Sequence, residues 1–235
     1  MVAAKKISKK KLKEPDEFIT FTERAFLFVR KHLREVLIGT CAVVAIVIAL
    51  SLFQMWEKRK EVEAQVALAS AMETYQKATS SYGETSGQGF KEALGKLEEV
   101  AKRYPRTGPG KLSYLYQGNL HLRQGSYDEA IKAFTTFLDK GGQEKLLRAF
   151  AIEGLAYAYE GKKDFAKALE YYQRTIESAE SLPMQNAHLG AGRCFERLGK
   201  KEEALASYRA YLKGAQKSQE SNMVEHRVAL LEAKK

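Results

Sequence analysis

The run Val36 to Phe53, VLIGTCAVVAIVIALSLF, constrains this chain more than any other stretch: eighteen residues without a charge, closed by Gln54, Met55 and Trp56. A bilayer core about 30 Å thick takes roughly 20 apolar residues at a helical rise of about 1.5 Å. A lone segment in lipid must also satisfy its own backbone, which only a helix does. A helix in a soluble core usually keeps a polar side, and positions 41–50 (CAVVAIVIAL) have none. The reading is a transmembrane helix over residues 36–56. A secretory leader has a shorter apolar stretch, about 7–15 residues, ending in small residues at the cut. Here LFQMWEKRK follows instead. Ile38-Gly39-Thr40-Cys41 is no lipoprotein box either, because Thr40 is bulky and the apolar run follows Cys41. An uncleaved anchor is expected.

The flanks orient it. Ahead of the run lie ten Lys/Arg against five acids, a net of +5, and Lys58, Arg59 and Lys60 follow it. Basic residues near a span stay on the cytoplasmic side, and long domains cross regardless of charge. A cytoplasmic N-terminus and a C-terminal domain across the membrane are therefore expected. The chain carries +10 in all, and beyond the tail 29 basic and 24 acidic residues are interspersed. That is a solvated helical surface and not a nucleic-acid stripe. Cys41 falls in the anchor and Cys194 in the rest, so no intramolecular disulfide is expected.

About 180 residues remain after the span, enough for a core, and their periodicity is helical throughout. Residues 1–35 read as a basic cytoplasmic tail, too polar over 1–13 to fold alone, running into an interfacial helix that starts at Pro15-Asp16-Glu17. Residues 57–110 read as a long helix to about Ser81, a break at SSYGETSGQG, and a helix from Phe90 to Tyr104 that forms the second half of a divergent repeat.

Three units then recur across residues 111–218. Each matches the order of large, small, Gly, aromatic and Ala residues of the 34-residue tetratricopeptide repeat. The first offers Tyr114, Gly118, His121, Gly125, Tyr127, Ala130, Phe134 and Phe137; the second Leu155, Ala156, Tyr159, Phe165, Ala168 and Tyr172. The third offers Gly192, Phe195, Gly199, Ala204, Tyr208 and Tyr211. Lys163 stands where the outer two have a turn glycine, and GGQE holds part of an insertion between units. Gly118, Ala156 and Gly192 are expected against Ala130, Ala168 and Ala204 of the partner helices. Residues 219–235, with Met223, Val224, Val228, Leu230 and Leu231, are expected to cap the last pair. The fold class is all-α: one N-terminal transmembrane helix, then a tetratricopeptide α-solenoid with a C-terminal capping helix.

Chemistry finds no foothold. There is no metal-binding His-Glu-x-x-His, paired-cysteine spacing, phosphate loop or nucleophile elbow, and the isolated His121 and His188 read as packing residues. A non-enzyme without cofactors or metals is expected, an unrecognised site around those histidines being the remaining alternative. Stacked repeats present a groove lined by their first helices. By register its residues are Leu115, Asn119 and Arg123, then Glu153 and Tyr157, then Leu189, Arg193, Glu196 and Arg197. Asn119, Arg193 and Arg197 are candidates to hold a peptide carboxylate.

The whole layout resembles a known family. Asp16-Glu17-Phe18 in a basic tail, one span, a long Ala-rich helix and Tyr104-Pro105-Arg106-Thr107 before the first clear repeat are similar to the membrane-anchored ancillary subunit of the SecYEG translocon (the YfgM type). The resemblance implies a single-pass protein of the bacterial inner membrane, with periplasmic repeats that meet the translocon and a periplasmic chaperone. The alternative is an envelope or cell-division scaffold that self-associates through helix 57–81.

Overall fold

The computed structural model describes residues 17–80, 86–140, 144–178 and 185–233. The basic stretch 1–13, the helix start at Pro15-Asp16 and most of GGQE lie outside them. All ten helices among the described residues are α, with no strand. Contacts divide the chain into two units, Met1–Lys58 and Arg59–Lys235.

The first unit holds α1 (Glu17–Lys31) and the beginning of α2 (Leu33–Ser80). His32 separates them, yet its N–H donates to the Phe28 carbonyl and its own carbonyl accepts from Val36 N–H, both at 2.9 Å. The long helix expected from residue 57 is thus the continuation of the apolar run in one 48-residue helix. Its apolar window has a mean hydropathy of 2.8 and is 0% buried.

In the second unit the rest of α2 pairs with α3 (Ser86–Arg103) through Ala64, Leu68, Ala71, Ala93, Leu97 and Val100. Helix α3 begins four residues before the expected Phe90, taking Gly87 and Gly89 into its first turn. The Tyr104-Pro105-Arg106-Thr107 segment then makes a corner. Tyr104 enters the core, and Thr107 caps α4 (Gly108–Arg123) by accepting from Gly110 N–H at 3.1 Å. Glu61 of α2 accepts from Gly108 N–H at 3.1 and 3.2 Å, adding a carboxylate at the positive end of α4.

Helices α5 (Tyr127–Asp139), α6 (Lys145–Gly161), α7 (Phe165–Ser178), α8 (Gln185–Arg197), α9 (Lys201–Gly214) and α10 (Gln219–Ala233) follow, each packed on its predecessor. First helices also touch across repeats, α4 on α6 and α6 on α8. The three intra-repeat turns share one hydrogen-bond pattern: Gly125 N–H to Leu122 and Ser126 N–H to His121, repeated by Lys163 and Asp164 and by Gly199 and Lys200. This is the left-handed helix stop that favours glycine. Lys163 adopts it too, at φ 62°, beside 72° at Gly125 and 74° at Gly199.

The glycines of the first helices meet aromatic rings, while Ala156 and Ala168 lie together in one buried cluster. A Cβ on Gly118 would lie 2.6 Å from the Phe134 ring, and one on Gly154 2.4 Å from the same ring. Phe134 is therefore wedged between two repeats. Tyr172 sits likewise against Gly190 and Tyr208 against Gly192. The alanines are buried, but the ring four residues further on reaches across the helix pair. Helix α10 covers α9 with Val224, Val228 and Leu231, while Met223 and Leu230 stay exposed.

Candidate protein-binding groove

Two hollows open along the first helices. The larger, about 1050 Å³, has an apolar floor of Phe165, Leu189 and Val224 with Met223 at its side. The smaller, about 420 Å³, is floored by Leu122, Tyr127 and Tyr157. Glu160, Gly161 and Arg193 belong to both, so the two are neighbours.

Six of the nine expected groove residues line these hollows: Arg123, Tyr157, Leu189, Arg193, Glu196 and Arg197. Asn119 is half-buried on α4. Leu115 departs from expectation. It is 4% exposed and packs with Phe134, Phe137, Ala151 and Leu155, because α6 stacks over that part of α4. Glu153 is also buried, 9% exposed, and its Oε1 has no hydrogen-bond partner. Burial alone pushes its carboxyl above the ordinary glutamate range.

Arg193, expected to be free for a ligand, is already engaged. Its Nε donates to Glu160 Oε1 at 2.7 Å and its Nη2 to Glu160 Oε2 at 2.8 Å. The Tyr172 hydroxyl donates to the same carboxylate at 2.6 Å. Burial pushes Glu160 up, but these donors hold it below its ordinary value, and the carboxylate raises Arg193 in return. One repeat later the set recurs: Tyr208 donates to Glu196 at 3.0 Å, and Arg227 of α10 pairs with Glu196 through two nitrogens. Bidentate guanidinium–carboxylate pairs fix geometry as well as charge. Two Glu–Tyr–Arg sets thus bolt α6 to α8 and α8 to α10. In the first repeat the matching positions are Leu122, Phe134 and Tyr157, and the joint is apolar. The Tyr157 ring meets Tyr172 edge-on at 5.6 Å, and burial raises its hydroxyl to about 12.

Sequence reasoning missed Glu160 and Arg227, and read Tyr172 and Tyr208 as repeat residues without their hydrogen bonds to the glutamates. The signal was the 12-residue spacing of Glu160 to Tyr172, repeated from Glu196 to Tyr208. His121 and His188 sit half-buried in different repeats, each held below its ordinary value by burial. The Cys194 thiol is fully buried and pushed up to about 12, which leaves it unreactive.

What the repeats are is settled by comparison with known families. A model of the tetratricopeptide repeat matches residues 86–145, 115–183 and 153–220, together more than half of the 235-residue chain. The chain belongs to the tetratricopeptide repeat family. In this tetratricopeptide repeat protein the first match opens at Ser86, so α3 is counted with the repeats. Proteins of this family are in general scaffolds for protein–protein interaction, and the groove is where such an array offers its inner surface. A comparison with curated proteins finds no match.

Proposed function

We propose that this protein is a scaffold anchored in the bacterial inner membrane, whose groove holds extended segments of other polypeptides beside the secretion translocon and a periplasmic chaperone. The groove carries the binding part of this reading: an apolar floor of Leu189, Phe165 and Tyr157 under charged rims, in a chain of an interaction-repeat family. No catalytic role is assigned. Support for the anchor comes from α2. A core helix can be as long and as apolar, but it would be covered, and here Val43, Ile46, Leu50 and Leu52 are 57–61% exposed, in a window that is 0% buried. That much bare aliphatic surface suits lipid. The charge contrast across the span supports a cytoplasmic N-terminus, and the named partners rest on the family resemblance of tail, span and long helix.

A photo-crosslinking residue at position 157 or 189, used in native membranes, is expected to trap translocon subunits or a periplasmic chaperone. Recovery of neither contradicts that assignment of partners. A second reading, self-association, is favoured by Val62 and Val66, which are 59% and 69% exposed one turn apart on α2. Sedimentation of the full chain in detergent distinguishes the two, since a monomer at every concentration removes the second.

A further inference from the structure

Each repeat carries one cation and one glycine at two positions where its first helix ends, and the middle repeat carries them in swapped order. The sequences are Arg123-Gln124-Gly125, Gly161-Lys162-Lys163 and Arg197-Leu198-Gly199. The swap has a steric cause. A Cβ at Gly161 would lie 2.2 Å from the Tyr127 ring, so no arginine fits there. The cation stands two residues on, at Lys163, where the backbone takes a left-handed φ of 62° that a lysine disfavours. Strain held at one residue by its surroundings points to that residue's side chain.

What that side chain does locally is little. Lys163 is exposed, lines the larger hollow beside Phe165 and Arg197, and makes no ion pair among the described residues. Arg197 lies over the Phe165 ring at 5.8 Å, and Arg123 borders the smaller hollow; neither has an ion-pair partner among the described residues. Arg193 and Arg227, in contrast, are neutralised by Glu160 and Glu196. The remaining acid of the larger hollow, Glu220, accepts from the Tyr211 hydroxyl at 3.2 Å. Among the described residues, Arg123, Lys163 and Arg197 are thus the cations of the groove without an ion-pair partner, set against the single unpaired carboxylate of Glu220, and the balance is positive.

We infer that Lys163, with Arg197 and Arg123, forms a recognition site for acidic side chains of an extended polypeptide, whose apolar side chains seat on the floor between. The inference rests on the groove reading above and narrows it. It also moves recognition away from a chain-terminal carboxylate at Arg193, whose two-pronged fork is filled by Glu160.

The test uses the full chain in detergent and a fluorescein-labelled, amidated peptide of alternating Glu and Leu, with the Gln-for-Glu peptide as control. The acidic peptide is expected to bind more tightly, increasingly so at low salt. Lys163→Gly is expected to weaken its binding about tenfold, the loss of one charge-assisted contact. The same substitution restores the favoured turn residue and is expected to hold or raise the melting temperature, by about 2–4 °C. Lys163→Asn, which tolerates the same backbone without the charge, should weaken binding alike. Unchanged binding by both variants overturns the inference. Equal binding of the two peptides overturns it while leaving the groove reading intact, and binding of neither peptide overturns both.

Discussion

Glu153 occupies a place that leucine holds in the flanking repeats, Leu115 and Leu189, at the spacings that separate turn residues 125, 163 and 199. A carboxylate there loses water and gains no hydrogen bond at Oε1. Such a group costs about 1–3 kcal/mol. Glu153→Leu should therefore stabilise the repeats by about that amount, read as a rise in melting temperature; a fall would mean that the carboxylate has a partner in solution. The two buried glutamates respond to pH with opposite sign. Glu153 has a raised value, so its burial is tolerated best when protonated, and stability contributed at low pH is lost as pH rises through the folded value. Glu160 has a lowered value, so its contribution is present above the ordinary 4.5 and is lost as pH falls below that through the folded value. Thermal melts between neutral pH and acid should show that loss in the wild type and a flatter slope in Glu160→Gln. An equal slope would contradict the bidentate pair.

Helix pairs are joined by rings set into glycines, and this decides which substitutions hurt. Phe134 is 0% exposed and touches Gly118 of its own repeat and Gly154 of the next. Phe134→Ala should cost about 3–5 kcal/mol, a transfer loss plus a cavity opened on both sides. Replacing half-exposed Phe150, 44% exposed on α6, should cost far less in the same denaturation assay. The helix pairs themselves were legible in the sequence, because glycine, alanine and tyrosine recur at repeat spacing. The rings opposite the glycines were not, since the matching alanines sit at the same helical face and periodicity does not say how far a side chain reaches. Leu115 was misplaced for a related reason: a first helix is covered by its own partner and by the next repeat, so less of it faces the groove than one helix wheel suggests. The pairings of Arg193 with Glu160 and of Arg227 with Glu196 escaped notice because the partners stand 33 and 31 residues apart, and only the fold brings each pair together.

At the scale of the whole chain, one apolar run precedes an interaction array, and the proposed role depends on both being present in one polypeptide. Residues of the run such as Ile38, Val44 and Ile48 are 50–61% exposed, and water is a poor solvent for them. Replacing Ile46 and Val47 by Asp should release the chain from membranes, each charge near the span's middle costing about 2.5–3.5 kcal/mol on insertion scales. The most direct measurement fuses to Lys235 a reporter that is active only in the periplasm, read together with membrane fractionation of the same cells. An active reporter that stays with the membrane after an alkaline wash is the predicted result. A freely soluble chain, or a carboxyl end reached only from the cytosol, would contradict the anchored periplasmic array.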